Sequence, residues 1–436
     1  MFTHFLRGIH ILIVLLFFPI LVTPQELPID TKQAYQYFRE MQNISLQDNG
    51  KLWGISFYGP MLFADPTTRT IVANQADLEG NLTKQGEVFI GKLPVEKNIA
   101  NTAMDWSGVK WTMIIWPLPE DQYDRARIMA HESFHRFQDS LGLPATNPAN
   151  SHLDTRDGRI WLQLEWRALK EALRHQGKER RHAVEDALLF RAYRHSLFKT
   201  AENEERLLEM FEGLAEYSGI KLSGRSEAVI VDYIATQLEK NEGKESYVRS
   251  FAYVSGPAYG ILLDKEKADW RKYFKSTDDL GLLLQASLSI KFPEALEDEA
   301  TRRTKDYNGN ALIEAETERE NAHQKRIAEY KARLVDGPVL IIPLQNVNVQ
   351  FNPNNLQSLG DLGTVYPTIR ITDLWGILTV TNGALMNSSW TRIYVPAPKN
   401  PDVRLLAGDG WTLELNAGWK LESAERKGDF ILTNLK

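Results

Sequence analysis

The chain has 436 residues, 43% hydrophobic and 25% charged, with a net charge of -6. This is a soluble globular composition with apolar residues enough for two or three cores, and without a concentrated basic stretch it excludes nucleic acid as the expected partner. Cysteine is absent, which excludes disulfides and thiolate metal ligands.

In chain order, Arg7 is followed by an apolar run from Ile9 to Val22 and then by Thr23 and Pro24. A positive residue, a short apolar core and a helix-breaking exit predict a secretory signal peptide over residues 1–25. The run falls short of the roughly 20 residues of a comfortable membrane span. The protein is therefore expected to be periplasmic or secreted, in a bacterial envelope given its lack of cysteine, with a membrane anchor only if this segment stays uncleaved.

From Lys51 to Pro117 the pattern is strand-like. Leu52 to Gly59, Thr70 to Val72, Val88 to Ile90 and Val109 to Trp116 are β-rich runs, the first two on either side of Asp65-Pro66. Asp121 to Phe292 reads as helical, punctuated by Gly142, Pro144, Gly177, Gly219, Gly224 and Gly256. Ala311 to Leu334 is charged and poor in large apolar residues, and predicts a solvated connecting helix. From Val339 onward strands return, among them Thr368–Ile371, Ile377–Val380, Trp411–Leu415 and Phe430–Leu432, with turn signals such as Asn382-Gly383 between them. This last region carries no functional signal.

One helical segment carries chemistry. His131-Glu132-Ser133-Phe134-His135 is an HExxH motif. Its two histidines lie one helical turn apart, where both imidazoles can hold one Zn²⁺, and Glu132 then faces the open position as a general base. Leu141 occupies the place of a metzincin's third histidine, so that class is excluded. A glutamate on a later helix is the alternative. Leu207 to Gly219 has an apolar face of Leu207, Met210, Phe211 and Leu214, with Gly219 as its expected stop, and beside that face stand Glu212 and Glu216. Glu212 is the expected third ligand, and Glu216 the acceptor for the outer N–H of a ligating histidine. Gly213 is expected where two helices approach closely. Glu165 and Asp154 are competing ligands.

On these residues the chain resembles the gluzincins, in particular the aminopeptidase N-like family. Phe211-Glu212-Gly213-Leu214-Ala215-Glu216-Tyr217 is similar to that family's N-E-G-F-A-E-Y string, with Phe211 in place of Asn. The spacing departs: 76 residues separate His135 from Glu212, where the family has about 18, so inserted helices must fill the gap. Thr102-Ala103-Met104-Asp105-Trp106-Ser107-Gly108 resembles the G-A-M-E-N-W-G segment, which implies that Asp105 binds a substrate's free amine. Tyr253-Val254-Ser255-Gly256 resembles the Y-E-K-G segment, which implies that Tyr253 hydrogen-bonds the oxyanion. The resemblance covers about residues 98–264.

The expected fold class is α+β. Residues 1–25 form a signal peptide, and 26–300 a zincin-like catalytic domain of an N-terminal β-sheet and a mainly helical part. Residues 301–338 form a charged helical connector and 339–436 an all-β domain. The expected function is zinc-dependent hydrolysis of a peptide or protein substrate, with Val109–Trp116 as the edge strand that pairs with it. The zinc ligands are His131, His135 and Glu212. Catalysis falls to Glu132 and Tyr253, with Asp105 at the substrate and Glu216 behind the histidine. The alternatives are an endopeptidase with an open cleft, and a non-catalytic exported binding protein with a structural zinc site.

Overall fold

The structure, a computed structural model, describes residues 27–266, 269–352, 355–398 and 405–435. The expected signal peptide lies outside these residues. Among the described residues no helix is long and apolar enough to cross a membrane. The architecture is α+β: an N-terminal sheet, a helical middle region and a C-terminal all-β region.

A helix that the strand and motif signals left unmarked comes first. In α1 (Thr31–Asp48) the side chain of Asp30 accepts from the backbone N–H groups of Lys32 and Gln33, and Ala34, Tyr37, Phe38 and Met41 form its buried face. Six strands follow: β1 (Met61–Ala64), β2 (Thr70–Ala73), β3 (Thr83–Gln85), β4 (Val88–Lys92), β5 (Thr102–Trp106) and β6 (Val109–Ile115). They form one sheet in the order β3-β4-β2-β1-β6-β5, with β1 and β6 parallel and the other pairs antiparallel. Met61 and Phe63 join the main core, whereas Leu62 and Ala64 join a smaller cluster with Ile71, Trp111 and Met113. Burial on both faces explains why these strands read as continuous apolar runs.

Two sequence expectations fail in this region. Leu52–Gly59 is a strap of turns and bends instead of a strand. Trp53 Nε1 donates to Ser218 Oγ, the Trp53 ring packs on Phe134 and Trp270, and Phe57 O accepts from Arg136. A Cβ on Gly59 would collide with the Arg136 guanidinium. The aromatic residues that suggested a strand are thus spent on anchoring a loop to helices. The second correction concerns the sheet edge: β6 is an inner strand between β1 and β5, so β5 is the free edge on that side.

The helices are α2 (Gln122–Phe137), α3 (Arg156–Arg174), α4 (Gly177–Leu197), α5 (Ala201–Leu208), α6 (Leu214–Leu222), α7 (Glu227–Asn241), α8 (Ala252–Glu266), α9 (Leu280–Ser287), α10 (Leu296–Arg303) and α11 (Gly309–Lys331). Helix α2 packs on β5, β6, α1 and α6, while α3 packs on α4, α7 and α8. One continuous apolar core links α1, one face of the sheet and the helices as far as Leu312.

The connector is therefore only partly solvated. The first half of α11 docks on α3, with Leu312 buried and the buried Glu316 accepting from Arg159 and Gln163. The end of the connector, from Tyr330 to Val335, packs with Val365 and Leu385 of the C-terminal region. That region has a seven-stranded and a five-stranded sheet that share one core. Leu340, Ile342, Ile393 and Val395 come from the first, and Ile369, Ile371, Leu378 and Leu413 from the second. Ile369–Asp373 alternates strictly between buried and exposed residues, as a strand with one solvated face should.

Candidate metal centre

Helix α2 is fixed before its histidines matter. Asp121 caps its first turn by accepting from Asp124 N, and a 3-10 turn from Gln138 ends at Gly142, whose φ of 70° suits glycine. Ala130 and Phe134 are buried and hold one face of α2 in the core. His131 and His135 lie on a neighbouring face.

The opposing helix has an irregularity that places the third residue. Between α5 and α6 the backbone makes one π-helical turn, Glu209–Gly213. Glu205, Glu209, Glu212 and Glu216 are spaced so that a regular α-helix would align them within about 60° of one another. The π turn divides that stripe. Glu205 and Glu209 meet Arg194 and Arg191, whereas Glu212 and Glu216 meet α2. Gly219 does not end the helix, which runs on to Leu222. A Cβ there would meet Arg127 O at 2.6 Å and His131 Cβ at 3.3 Å, so Gly219 lets α6 lie close against α2. Gly213 and Gly256 do the same for the π turn and α8.

The result is a His-His-Glu group whose ligand atoms can hold a metal ion. His131 Nε2 and His135 Nε2 are 3.2 Å apart, and each is 3.5 Å from Glu212 Oε2. Ligands at about 2.0–2.1 Å from a tetrahedral ion stand roughly 3.3–3.4 Å from one another, so this triangle has the dimensions of one face of a tetrahedral site.

Each outer atom has a partner. His131 Nδ1 is 2.9 Å from Glu216 Oε2, and Arg127 donates to both Glu216 oxygens at 2.7 and 3.0 Å. His135 Nδ1 is 3.1 Å from Gln138 Oε1, and the buried Gln138 also donates to the Met210 carbonyl inside the π turn. Arg249 donates to Glu212 Oε1 at 2.9 Å, and Tyr253 Oη to Oε2 at 2.7 Å. The Tyr253 ring stacks on His131 with an interplanar angle of 3°, and Phe211, which departs from the family string, packs on the His135 ring. Partners of this kind fix ring orientation and tautomer in metal sites.

Electrostatics follow from burial. Burial alone would favour a neutral His131, but Glu212 and Glu216 outweigh it and push the imidazole up to about 10. Because an imidazole ligates in its neutral form, metal binding at His131 is expected to release protons and to weaken as pH falls. Burial pushes the Glu132 carboxyl up; His131 and His135 oppose this, and Glu212 and Glu216 add to it. Glu212 is held well below the carboxylate range because hydrogen bonds from the two histidines and Tyr253 outweigh its burial. Burial and the Glu212 charge push the Tyr253 phenol up and keep it neutral.

His131, Glu132, His135, Glu212, Glu216 and Tyr253 thus converge, but Asp105 makes no bond with them. It lies on the edge strand β5, exposed, opposite Lys110, and Lys110 reaches Asp139 just beyond α2. Strand alternation puts Asp105 on the α2 side of the sheet with Lys110 and Thr112. The competing ligands have other partners. Glu165 is fully buried with Arg191, Arg194 and Tyr259, and Asp154 accepts from Ser246 Oγ and Tyr247 N. Sequence reasoning missed Gln138, Arg127 and Arg249. Arg127 lies one turn before His131 on α2, and Gln138 three residues after His135 at the start of the 3-10 turn, spacings that could have marked them; Arg249 stands one turn before Tyr253. Compared with protein-family profiles, curated proteins and solved structures, the chain matches none.

Proposed function

We propose that this protein is an exported zinc metallopeptidase in which Glu132 is the general base. The observation that carries the reading is the ligand triangle of His131, His135 and Glu212, with edges of 3.2–3.5 Å and an acceptor behind each histidine. A third buried carboxyl, Glu132, adjoins this set without belonging to it. A purely structural site needs no such group, which counts against the non-catalytic alternative.

His131, His135 and Glu212 would hold the zinc ion, which when bound would supply a Lewis acid for the scissile carbonyl and a water of lowered pKa. Glu132, with its own pKa already raised by burial, takes the proton from the attacking water and returns it to the leaving nitrogen as the C–N bond breaks. Tyr253 stays neutral, and its single O–H, which donates to Glu212 Oε2, turns from that oxygen to the oxyanion as it forms. The His131 hydrogen bond and Arg127 together keep Glu216 charged against its burial, and Glu216 orients His131. The edge strand β5 has a strand neighbour on one side only, and an extended peptide that displaces the Thr102 and Lys97 side chains from Ala103 O and Asp105 O can add to it as a further strand. Asp105 lies on this strand and is the proposed contact for a substrate amine.

Glu132→Gln decides between enzyme and binding protein. The variant is expected to keep its zinc and lose peptide hydrolysis. Undiminished hydrolysis by the variant, or wild-type protein that takes up no zinc, would refute the reading.

A further inference from the structure

Arg249 has no role in the resemblance, yet it touches the ligand set. It stands one turn before Tyr253, and its Nη2 is 2.9 Å from Glu212 Oε1. The two guanidiniums at this centre differ in exposure. Arg127 is largely buried and engaged with Glu216, whereas the Arg249 side chain is 49% exposed.

We infer that Arg249 determines specificity, and that its exposed guanidinium receives a substrate carboxylate within a few residues of the scissile bond. The inference rests on the peptidase reading. The charges at the centre favour it. A divalent ion with Arg127 and Arg249 outweighs the three carboxylates of Glu132, Glu212 and Glu216 by one positive charge, the histidines being neutral when they ligate. Arg127 pairs with Glu216 out of solvent, so Arg249 is the guanidinium of the centre that an incoming anion can reach. When Glu212 Oε2 ligates an ion, the carboxylate's charge is shared, and its hold on Arg249 weakens. A planar guanidinium so placed is suited to a second, incoming carboxylate. Reach limits where that group can lie. With Arg249 bound to one Glu212 oxygen and the ion to the other, a carboxylate on the guanidinium falls on the order of 10 Å or less from the ion, about three residues of extended chain. The carboxylate can come from the peptide's C-terminus or from an acidic side chain.

The test is calorimetric binding to the zinc-saturated Glu132→Gln protein, which does not depend on turnover. The probes are acetyl-Ala-Ala-Ala as the free acid, the same peptide as its amide, and acetyl-Ala-Glu-Ala amide. Tighter binding of the free acid identifies the C-terminal carboxylate as the source, and tighter binding of the glutamate amide identifies a side chain. One of these is expected to bind about tenfold or more tightly than the uncharged amide. Adding Arg249→Gln should bring that ratio close to one, and Arg249→Lys should restore part of it. Equal binding of all three probes overturns the inference; if the wild type still cleaves peptides, the peptidase reading stands. If no probe binds and the wild type cleaves nothing, both fall. A preference that survives Arg249→Gln at saturating zinc assigns the residue to holding Glu212 and also overturns the inference.

Discussion

Gly256→Ala tests whether helix contacts, and not the ligands alone, set the geometry of the centre. A Cβ on Gly256 would stand 2.4 Å from Gly213 Cα, with the Gly213 carbonyl carbon at 2.9 Å. Non-bonded carbons rest at about 3.5–4.0 Å, so α8 and the π turn must part by roughly 1.1–1.6 Å. Tyr253 precedes Gly256 by one turn and moves with α8. Its 2.7 Å hydrogen bond to Glu212 Oε2 would open to about 4 Å, beyond hydrogen-bonding range. A displacement of about 1 Å at a catalytic group costs on the order of 100-fold in rate, and overpacking costs about 1–3 kcal/mol of stability. The expected result is kcat/KM for a peptide substrate down by about two orders of magnitude with zinc content unchanged. Gly219→Ala is the matched control, because its Cβ strikes Arg127 O and His131 Cβ and drives α6 from α2. It should instead weaken zinc binding, measured by chelator competition. Wild-type kcat/KM in Gly256→Ala would refute the role given to Tyr253, and zinc loss in that variant would show that α8 supports Glu212 instead.

Three further outcomes are expected. Purified protein should hold one zinc, and His131→Ala, His135→Ala and Glu212→Ala should each lose it, whereas Glu165→Gln should keep it and lower the Tm; zinc retained by Glu212→Ala would reassign the third ligand. Burial, reinforced by Asp279 and Glu165 against the pull of Arg191, raises Glu209 from 4.5 to about 7. The folded state then binds this proton more tightly than the unfolded chain, so the contribution is complete below about pH 4.5 and is lost as pH rises through about 7. Denaturant midpoints should show wild type losing on the order of 1–3 kcal/mol relative to Glu209→Gln between pH 5 and 8.5, and parallel profiles would contradict it. If Asp105 holds a substrate amine, acetylated peptides should resist cleavage and Asp105→Asn should lower kcat/KM for free-amine peptides without zinc loss; equal cleavage of both at internal bonds would favour an endopeptidase.

What the sequence made legible follows the range of the interactions involved. His131 and His135 could be paired because a helix fixes the geometry of residues four apart. The same local rule gathered Glu212 with Glu216. Strands with a strict burial pattern, such as Ile369–Asp373, could be read for the same reason. Leu52–Gly59 misled because its aromatic and β-branched residues satisfy a strand's preferences, while their actual partners, Phe134, Ser218 and Trp270, lie far along the chain. The order of β5 and β6 at the sheet edge is likewise a long-range fact. Val109–Ile115 is the more apolar strand because it is the inner one, and the same apolarity had suggested the strand that receives substrate. The docking of α11 was hidden because the group it buries, Glu316, is charged and is matched by Arg159 and Gln163.

The π turn shows why the candidate centre resisted a purely periodic reading. Glu205, Glu209, Glu212 and Glu216 fit a regular helix so well that nothing in their spacing marks a break, and a regular helix would send all four to one side. Two sets of cations compete for them: Arg191 and Arg194 on α4, and Arg127 with the histidines on α2. Arg191 and Arg194 also have Glu165 and Asp279, whereas Arg127 has the buried Glu216, and breaking a buried pair costs about 3–5 kcal/mol. One π turn disturbs the helical hydrogen bonds only locally, and the Gln138 side chain takes up the Met210 carbonyl within it. Dividing the four carboxylates between the two cationic sets lets Glu205 and Glu209 pair on α4 while Glu212 and Glu216 pair on α2. The candidate ligand Glu212 owes its position to that division as much as to its own place in the sequence.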